Sequence, residues 1–355
     1  MSSSEINPSI GKELITPKEY MSYRINNASL IRKLLKHLEP CIQPSSAFVG
    51  NLTLLNEYEE EMISFKKELG SGSAYGEAYL AKIKGHFEKI AIKLMEITDN
   101  HTNEIMLLKK MSKLVEKGIA INLPITFHTM KCTNMIDTLI KTKKATTLMI
   151  DGNYYVILNE LAYGDMNKFF DITHTTQEYE SCLLQMIFAV QTFHQLNYTH
   201  NDAHLGNFLW HRIPSGGYWQ YEFRDTKIYV PNMGHLIVLW DPGLAKSFVK
   251  YEYLYQDFIN FMHYFSTVLD YQHKKVYNKT HPLCTLISII REGLIYKNTL
   301  LKDKKGIPDK DAEKDLIIEL INMIQKRNHI TSIYTDETLP PESIILNEKP
   351  YPLEF

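Results

Sequence analysis

The chain is poor in cysteine, in excess charge and in long apolar runs, and each shortage excludes a class of protein. Four cysteines among 355 residues, without a C-x-x-C pair, exclude a disulfide scaffold and favour a reducing compartment. A net charge of −2 gives no field that would draw the chain onto nucleic acid or a membrane surface. No apolar run approaches the roughly 18 residues of a membrane helix, and the first twenty residues lack the apolar core of a signal peptide. We therefore expect an intracellular protein without a membrane span or a nucleic-acid partner.

Metal-binding motifs and arginine are also scarce. The 14 histidines form no H-E-x-x-H motif and no i, i+4 pair that is accompanied by a carboxylate, so a zinc enzyme is not expected. Only six of the 39 basic residues are arginine, which is typical of proteins encoded by AT-rich genomes.

The first half of the chain changes from a helical to a strand-like pattern. Residues 1–60 are predicted to form an N-terminal helical extension, with Thr16 and Glu19 at a helix start. Residues 61–162 are predicted to form a β-rich lobe with one helix at Asn103–Val115. Its predicted strands are Phe65–Leu69, Ala78–Ile83, Lys89–Met95, Ile125–Cys132 and Tyr154–Leu158.

The second half is mainly helical. Residues 163–355 are predicted to contain long helices at Glu178–Leu196 and Gln256–Leu269, and then a proline-rich tail. A β-hairpin is predicted as an insert at about 212–238. The pattern as a whole predicts an α+β fold.

A glycine-rich turn and a strand lysine form a first candidate group for binding phosphate. Gly70, Gly72 and Gly76 lie between two predicted strands, where the absence of side chains lets backbone N–H groups approach phosphate oxygens. Lys93 follows on the next predicted strand, and Glu104 lies eleven residues later on a helix. A lysine held by a helix glutamate can aim a cation at nucleotide phosphates. Taken singly, the glycines also fit a hairpin turn, and the lysine also fits a solvated strand position.

A second candidate group follows the first long helix of the second half. His200, Asp202 and Asn207 form the pattern H-x-D-x-x-x-x-N, and Asp241 begins the pattern D-x-G. Phosphoryl transfer needs one carboxylate to orient the attacking hydroxyl and to take its proton, a role that Asp202 fits. It also needs a carboxylate and an amide oxygen that hold Mg²⁺ on the triphosphate, and Asp241 and Asn207 fit this role. The ordered series of motifs predicts an ATP- and Mg²⁺-dependent phosphotransferase.

With this series of motifs, residues 65–270 resemble the protein-kinase superfamily. The resemblance implies a bilobal protein-kinase-like fold with a β-rich N-lobe, a mainly helical C-lobe and bound ATP. It implies that Asp202 and Lys93 are catalytic and that Asn207 and Asp241 bind the metal. It also implies a set of ATP-binding residues, namely Leu69, Gly70, Gly72, Gly76, Ala78, Ala91, Lys93, Glu104, Glu160, Ala162 and Leu209.

The resemblance gives several of these positions a particular task. Ala78 and Ala91 would cover the adenine from one side and Leu209 from the other. Glu160 and Ala162 would lie in the hinge, where the backbone pairs with the base. Asp257 matches a helix aspartate that braces the catalytic loop.

The chain departs from the usual kinase motifs at four places. Gly72 and Gly76 are separated by one residue more than is usual in the glycine loop. Asn201 replaces an arginine that normally receives an activating phosphate, His204 replaces a lysine, and Pro242 replaces the phenylalanine of D-F-G. We therefore expect no switch that depends on phosphorylation of the activation segment.

These departures follow a pattern of their own. The sequence H-x-D-x-H-x-G-N resembles haspin-type protein kinases and the aminoglycoside and choline phosphotransferases. The short stretch from Gly243 to Gln256 and the predicted hairpin resemble haspin and the serine/threonine kinases of large DNA viruses. A composition rich in Lys, Asn and Tyr suits the viral group.

The resemblance therefore implies a serine/threonine protein kinase that acts on protein substrates, in the host cytoplasm and also in the virion if the protein is viral. Two alternatives stay open, which are a small-molecule phosphotransferase of the aminoglycoside or choline kinase type and a non-catalytic kinase-fold scaffold. Neither the identity of the substrate nor the oligomeric state follows from the sequence.

Overall fold

A computed structural model describes residues 15–44, 52–73, 76–132, 153–223, 225–247, 255–301 and 333–353. They group into two units. The first contains Met21–Lys113 and Pro124–Ala162, and the second contains Thr16–Tyr20, Leu114–Leu123 and the described part of Tyr163–Phe355. Each unit combines helices with antiparallel strands, which confirms the predicted α+β class. The kinase-like bilobal arrangement and the three predicted segment boundaries stay predictions.

The first unit is built on a seven-stranded antiparallel sheet in the order β1-β2-β3-β4-β5-β7-β6. The strands are β1 (Leu38–Pro44), β2 (Leu52–Asn56), β3 (Glu61–Ser73), β4 (Gly76–Ile83), β5 (Lys89–Glu96), β6 (Thr126–Cys132) and β7 (Tyr154–Glu160). The sheet curls, so its two edge strands approach each other and a disulfide joins Cys41 of β1 to Cys132 of β6. For this pair the expectation of reduced cysteines does not hold in the structure.

Two helices accompany this sheet, α1 (Tyr20–Leu34) and α2 (Asp99–Glu116). Residues spaced by three and four positions on α2 are buried, including Leu108, Met111 and Val115. Burial of each such side chain stabilises the fold by about 1.5–3 kcal/mol. The turn before α1 contains the predicted cap, in which a Glu19 carboxylate oxygen accepts hydrogen bonds from the Thr16 N–H (2.9 Å) and hydroxyl (2.7 Å).

Strands β1 and β2 were not predicted, because residues 1–60 were interpreted as a helical extension. Both strands pair at the edge of the sheet, β1 with β2 and β2 with β3. The two strands are buried because they pair with residues farther along the chain. A local sequence pattern does not indicate such pairing.

The second unit has four helices and three small sheets among its described residues. The helices are α3 (Met166–Phe170), α4 (Thr176–His194), α5 (Gln256–Tyr277) and α6 (Pro282–Leu301). Helix α4 begins at a capping box between Thr175 and Glu178, and it is buried from Tyr179 to His194. Among the described helices of either unit, none is long and apolar enough to cross a membrane.

The strands of the second unit pair in small sheets. They are β8 (Gly164–Asp165), β9 (Tyr198–Thr199), β10 (Phe208–Arg212), β11 (Tyr218–Phe223), β12 (Thr226–Pro231), β13 (His235–Leu239), β14 (Lys246–Ser247) and β15 (Tyr351–Pro352). The sheets have the orders β13-β10-β8, β12-β11-β15 and β14-β9. Strands β11 and β12 form a hairpin where the sequence pattern places one, and the proline-rich tail adds β15 beside β11.

Candidate active site

The first unit holds the lysine and the glutamate of the sequence motif in a buried ion pair. Lys93 Nζ lies 2.9 Å from Glu104 Oε1, and the two side chains are 7% and 1% exposed. Lys93 is on the inner strand β5, and Glu104 is on α2. The alternative interpretation of Lys93 as a solvated strand lysine is therefore wrong. A buried lysine needs such a partner, since burial without one favours loss of its charge.

Strand register places four of the predicted nucleotide-binding residues on one face of the sheet. Leu69 pairs with Ala78, and Ala78 pairs with Lys93 on the next strand. Directly paired residues of adjacent strands project to the same side, as do residues two apart on one strand. Ala91, two residues before Lys93, therefore shares this face. The face thus presents three apolar side chains and one cation.

The glycine-rich segment forms the hairpin end of β3 and β4. Gly70 and Gly72 lie in β3, Gly76 opens β4, and Ser73 pairs with Gly76. Residues 74 and 75 lie outside the described residues. A Cβ atom at Gly76 would collide with the carbonyl oxygen of Leu94 on β5, so the approach of the two strands alone requires this glycine.

Glu160 ends β7, and its side chain is engaged within the first unit. Its carboxylate forms an ion pair with Arg24 of α1 and accepts a hydrogen bond from the Ile125 N–H (2.8 Å). Its own N–H donates to the carbonyl oxygen of Ile125 (3.1 Å). A contact of Glu160 with a base would therefore have to come from its carbonyl, and Ala162, two residues on, is half-buried.

In the second unit, buried Asp257 holds the loop that carries the H-x-D motif. Its Oδ2 accepts hydrogen bonds from His194 Nε2 (2.9 Å) and the His200 N–H (2.6 Å), and its Oδ1 accepts one from the Asn201 N–H (2.8 Å). Burial acts to raise the pKa of Asp257, but the hydrogen bond and charge of His194 and the interactions with His200 outweigh it and lower the pKa. The ionised carboxylate thus fixes the backbone immediately before Asp202.

Asp202 and Asn207 are joined directly. Asn207 Nδ2 donates to the carbonyl oxygen (2.8 Å) and to the carboxylate Oδ2 (2.9 Å) of Asp202. This contact uses the nitrogen of the amide and leaves its oxygen as the atom that can bind a cation. The Asp202 side chain is 39% exposed, so its carboxylate is accessible from solvent.

Asp241 follows strand β13, which is fixed on both sides. β13 pairs with β10, where Leu209 lies opposite Val238. On its other side the buried Asn122 donates from Nδ2 to the Ile237 carbonyl (2.8 Å) and accepts through its backbone oxygen from the Leu239 N–H (3.0 Å). Asp241 adopts a left-handed backbone conformation (φ 57°), which an aspartate tolerates better than most residues.

His204 lies among three carboxylates. Its Nε2 is 3.6 Å from Asp202 Oδ2, and the neighbouring Asp202 is the main cause of a raised pKa, against burial, with further contributions from Asp241 and Asp165. Its Nδ1 accepts a hydrogen bond from the Gly206 N–H (3.0 Å) while the ring is neutral, and protonation of the ring replaces this contact. A Cβ atom at Gly206 would lie 2.8 Å from the imidazole Cε1, so a larger residue at this position would have to displace the His204 ring.

Asn201, where an arginine was expected from the kinase pattern, binds the backbone of the segment after Asp241. Its Nδ2 donates to Thr199 Oγ1 (3.0 Å) and to the Leu244 carbonyl (3.3 Å), and its φ is 61°. Strand β14 continues this segment and pairs with β9. Residues 248–254 lie outside the described residues.

Two residues that position this loop and β13 belong to none of the sequence motifs. His194 ends α4, and Asn122 precedes β6, so neither belongs to a local motif with Asp257 or Asp241. Only the tertiary structure brings them to these aspartates or to the strand before them.

Comparison with known proteins supports a kinase-like relationship. No family model matches the chain. The chain is similar to a protein of Frog virus 3 (isolate Goorha) named "Putative serine/threonine-protein kinase 019R", with 22% identity over 253 residues. This similarity covers 64% of this chain but 28% of the viral protein, so the chain spans little more than a quarter of the length of that relative.

Proposed function

We propose that the protein is a serine/threonine protein kinase that transfers the γ-phosphoryl group of ATP to hydroxyl groups of proteins. The observation that carries the proposal is the arrangement of Asp202, whose exposed carboxylate is held by Asn207 on a loop fixed by buried Asp257. Phosphoryl transfer depends mainly on positioning and charge stabilisation, which a rigid loop of this kind supplies.

Asp202 would act on the nucleophile. Its carboxylate would accept a hydrogen bond from the substrate hydroxyl and take its proton as the new O–P bond forms. The bond between the γ-phosphorus and the β,γ-bridging oxygen breaks, and ADP leaves. Protonated His204, beside Asp202, would stabilise negative charge on the transferred group.

Lys93 would act on the nucleotide. Its ammonium group, held by Glu104, would bind phosphate oxygens of ATP, and the apolar side chains of Leu69, Ala78 and Ala91 on the same face of the sheet would contact the base.

Asn207 and Asp241 offer the oxygen ligands that Mg²⁺ prefers, and the amide nitrogen of Asn207 is already used by Asp202. When bound, Mg²⁺ would neutralise charge on the triphosphate. The side-chain oxygens of these two residues are therefore suitable donor atoms for Mg²⁺. A kinase of the viral kind would act in the host cytoplasm and, if packaged, in the virion.

A pair of variants tests this assignment. Asp202→Asn should reduce phosphoryl transfer at least 100-fold, because general acid–base groups are worth about 10²–10⁴ in rate, while Mg-ATP affinity changes by less than about threefold. Lys93→Met should instead weaken Mg-ATP binding. Both are measured by transfer of labelled phosphate to a basic protein and by thermal shift with Mg-ATP.

The substrates in this assay separate the alternatives. Transfer to serine and threonine of a protein, and not to amino sugars or choline, is the expected result. Transfer to the small molecules alone would support the phosphotransferase alternative, and ATP binding without any turnover would support the scaffold. Loss of Mg-ATP binding in Asp202→Asn would contradict the role given to Asp202.

A further inference from the structure

The second unit contains a cluster of two histidines and one glutamate that the phosphotransferase assignment does not use. We call His174, Glu178 and His235 the His–Glu cluster. One nitrogen or oxygen from each of the three side chains lies within 4.8 Å of the others. The side chains are 7%, 21% and 11% exposed, so the cluster is mostly shielded from water.

We propose that the His–Glu cluster is a binding site for a transition-metal ion of the zinc class. Two imidazoles and one carboxylate are the donor set that Zn²⁺ accepts, with a fourth position left for water or a small ligand. The proposal concerns metal binding and stability, and it does not rest on the phosphotransferase assignment.

The distances in the cluster fit such an ion. Glu178 Oε1 lies 3.4 Å from His174 Nδ1 and 3.1 Å from His235 Nε2. Bonds of about 2.0–2.1 Å to a tetrahedral Zn²⁺ place neighbouring donor atoms about 3.3 Å apart. The third edge, between the two imidazole nitrogens, is at most 4.8 Å, and a bound ion would draw these nitrogens together.

The hydrogen bonding of His174 also favours a cation between these groups. Its Nε2 lies 3.0 Å from the Phe169 carbonyl oxygen, which can only accept, so Nε2 carries a proton. In the neutral imidazole the other nitrogen, Nδ1, then presents a lone pair toward the carboxylate of Glu178. Two acceptors facing each other are unfavourable unless a proton or a metal ion lies between them. Donation of the second ring N–H to a backbone carbonyl is also the usual arrangement of a metal-ligating histidine.

Glu178 is prepared to be an anionic ligand. Its other oxygen, Oε2, accepts hydrogen bonds from the Thr175 N–H (2.7 Å) and hydroxyl (2.9 Å) at the start of α4. These two bonds fix the orientation of the carboxylate, and Oε1 is the oxygen that faces the two imidazoles.

His235 offers its Nε2 to the cluster. The side chain is 11% exposed, and Nε2 lies 3.1 Å from Glu178 Oε1. A neutral imidazole offers the lone pair that a metal requires.

The bound ion would join two separate elements of the second unit. His174 and Glu178 lie at the start of α4, and His235 begins β13, which leads to Asp241 at its other end. A cavity of about 530 Å³ adjoins His174 and Glu178 and provides room for a fourth ligand. Because such a site forms only in the folded chain, the ion would stabilise the native state.

Metal titration of the full-length chain tests the proposal. The purified protein is stripped with a chelator and titrated with Zn²⁺ against a chromophoric competitor at pH 7, with stoichiometry from elemental analysis. The expected result is one Zn²⁺ per chain, a higher melting temperature and, with Co²⁺, the intense visible absorption of a four-coordinate site without thiolate bands.

Variants assign the ligands. Glu178→Gln, which keeps the hydrogen bonds of the capping box, and His174→Asn should each weaken Zn²⁺ binding by more than about 100-fold, since even residues behind the ligands are worth 10–100-fold. His273→Asn changes a histidine that lines the same cavity outside the cluster, and it should bind Zn²⁺ as the wild type does. Absence of stoichiometric binding in the wild type would overturn the proposal. Wild-type Zn²⁺ affinity in Glu178→Gln would also overturn the proposal, because this replacement preserves the fold.

Discussion

Replacement of Asp257 by asparagine is the sharpest test of how the loop before Asp202 is held. The Asp257 side chain is buried and accepts three hydrogen bonds, two at Oδ2 and one at Oδ1. Asparagine has the same shape, but it offers one oxygen and one NH₂ group. With the oxygen toward His194 and the His200 N–H, the NH₂ group would face the Asn201 N–H, where two donors meet.

The loss of stability expected for Asp257→Asn follows from these contacts. An unpaired buried donor costs about 1–3 kcal/mol, and each of the two retained hydrogen bonds loses about 1 kcal/mol when its acceptor is no longer charged. The free energy of unfolding should therefore fall by about 3–5 kcal/mol at pH 7. The rate of phosphoryl transfer should fall further than the folded fraction, because the unpaired N–H belongs to Asn201, the neighbour of Asp202.

The pH dependence of the free energy of unfolding tests the direction of this effect. Since the pKa of Asp257 is lowered in the fold, its contribution is complete above the unfolded value of about 3.9 and is lost as the pH falls through the folded value. Urea denaturation at several pH values should show the wild type and Asp257→Asn differing most at neutral pH and converging in acid. Asp270→Asn on the same helix, where the carboxylate pairs with Lys274 near the surface, is the matched control. A loss below about 1 kcal/mol at pH 7 in Asp257→Asn would refute the role of Asp257 as a buried anchor.

Two further predictions follow from single contacts. The raised pKa of His204 keeps it protonated to higher pH than an ordinary histidine. Phosphoryl transfer should therefore decline as the pH rises through that pKa, and His204→Lys should move the decline to higher pH. Identical profiles of kcat against pH for the two proteins would exclude a role for this charge. Cys41→Ser removes a disulfide that closes 91 residues, and it should lower the free energy of unfolding by about 2–4 kcal/mol relative to the oxidised wild type. The same loss should follow reduction of the wild type, and equal urea midpoints for oxidised and reduced protein would count against the Cys41–Cys132 bond.

Local sequence patterns predicted the elements whose burial is decided by near neighbours. Helix α4 was expected at Glu178–Leu196 and is found at Thr176–His194, because its apolar residues recur at helical spacing. The inner strands were also expected from local pattern, since β5 alternates between buried and more exposed residues over Lys89–Ile92 and is buried through Met95. The pair of Lys93 with Glu104 could also be anticipated, because a lysine on a buried strand needs a counter-charge on a neighbouring element.

The elements that were missed depend on residues far apart in the chain. Strand β1 gains its place by pairing with β2 and by the bond from Cys41 to Cys132, and the cysteine spacing contains no sign of either. The His–Glu cluster has the same origin. Glu178 and His235 are 57 residues apart, so a search for H-E-x-x-H cannot find them.

Asn201 shows how a departure from a family pattern acquires a physical meaning from the structure. A neutral amide cannot form the charged bidentate contact by which an arginine receives a phosphate. Instead its Nδ2 donates directly to the Leu244 carbonyl, and the pairing of β14 with β9 continues this attachment. The left-handed conformation of Asn201 also suits asparagine better than a longer side chain. The start of the segment after Asp241 is thus held by backbone and amide hydrogen bonds that are present without any phosphate, which supports an active site assembled as the chain folds.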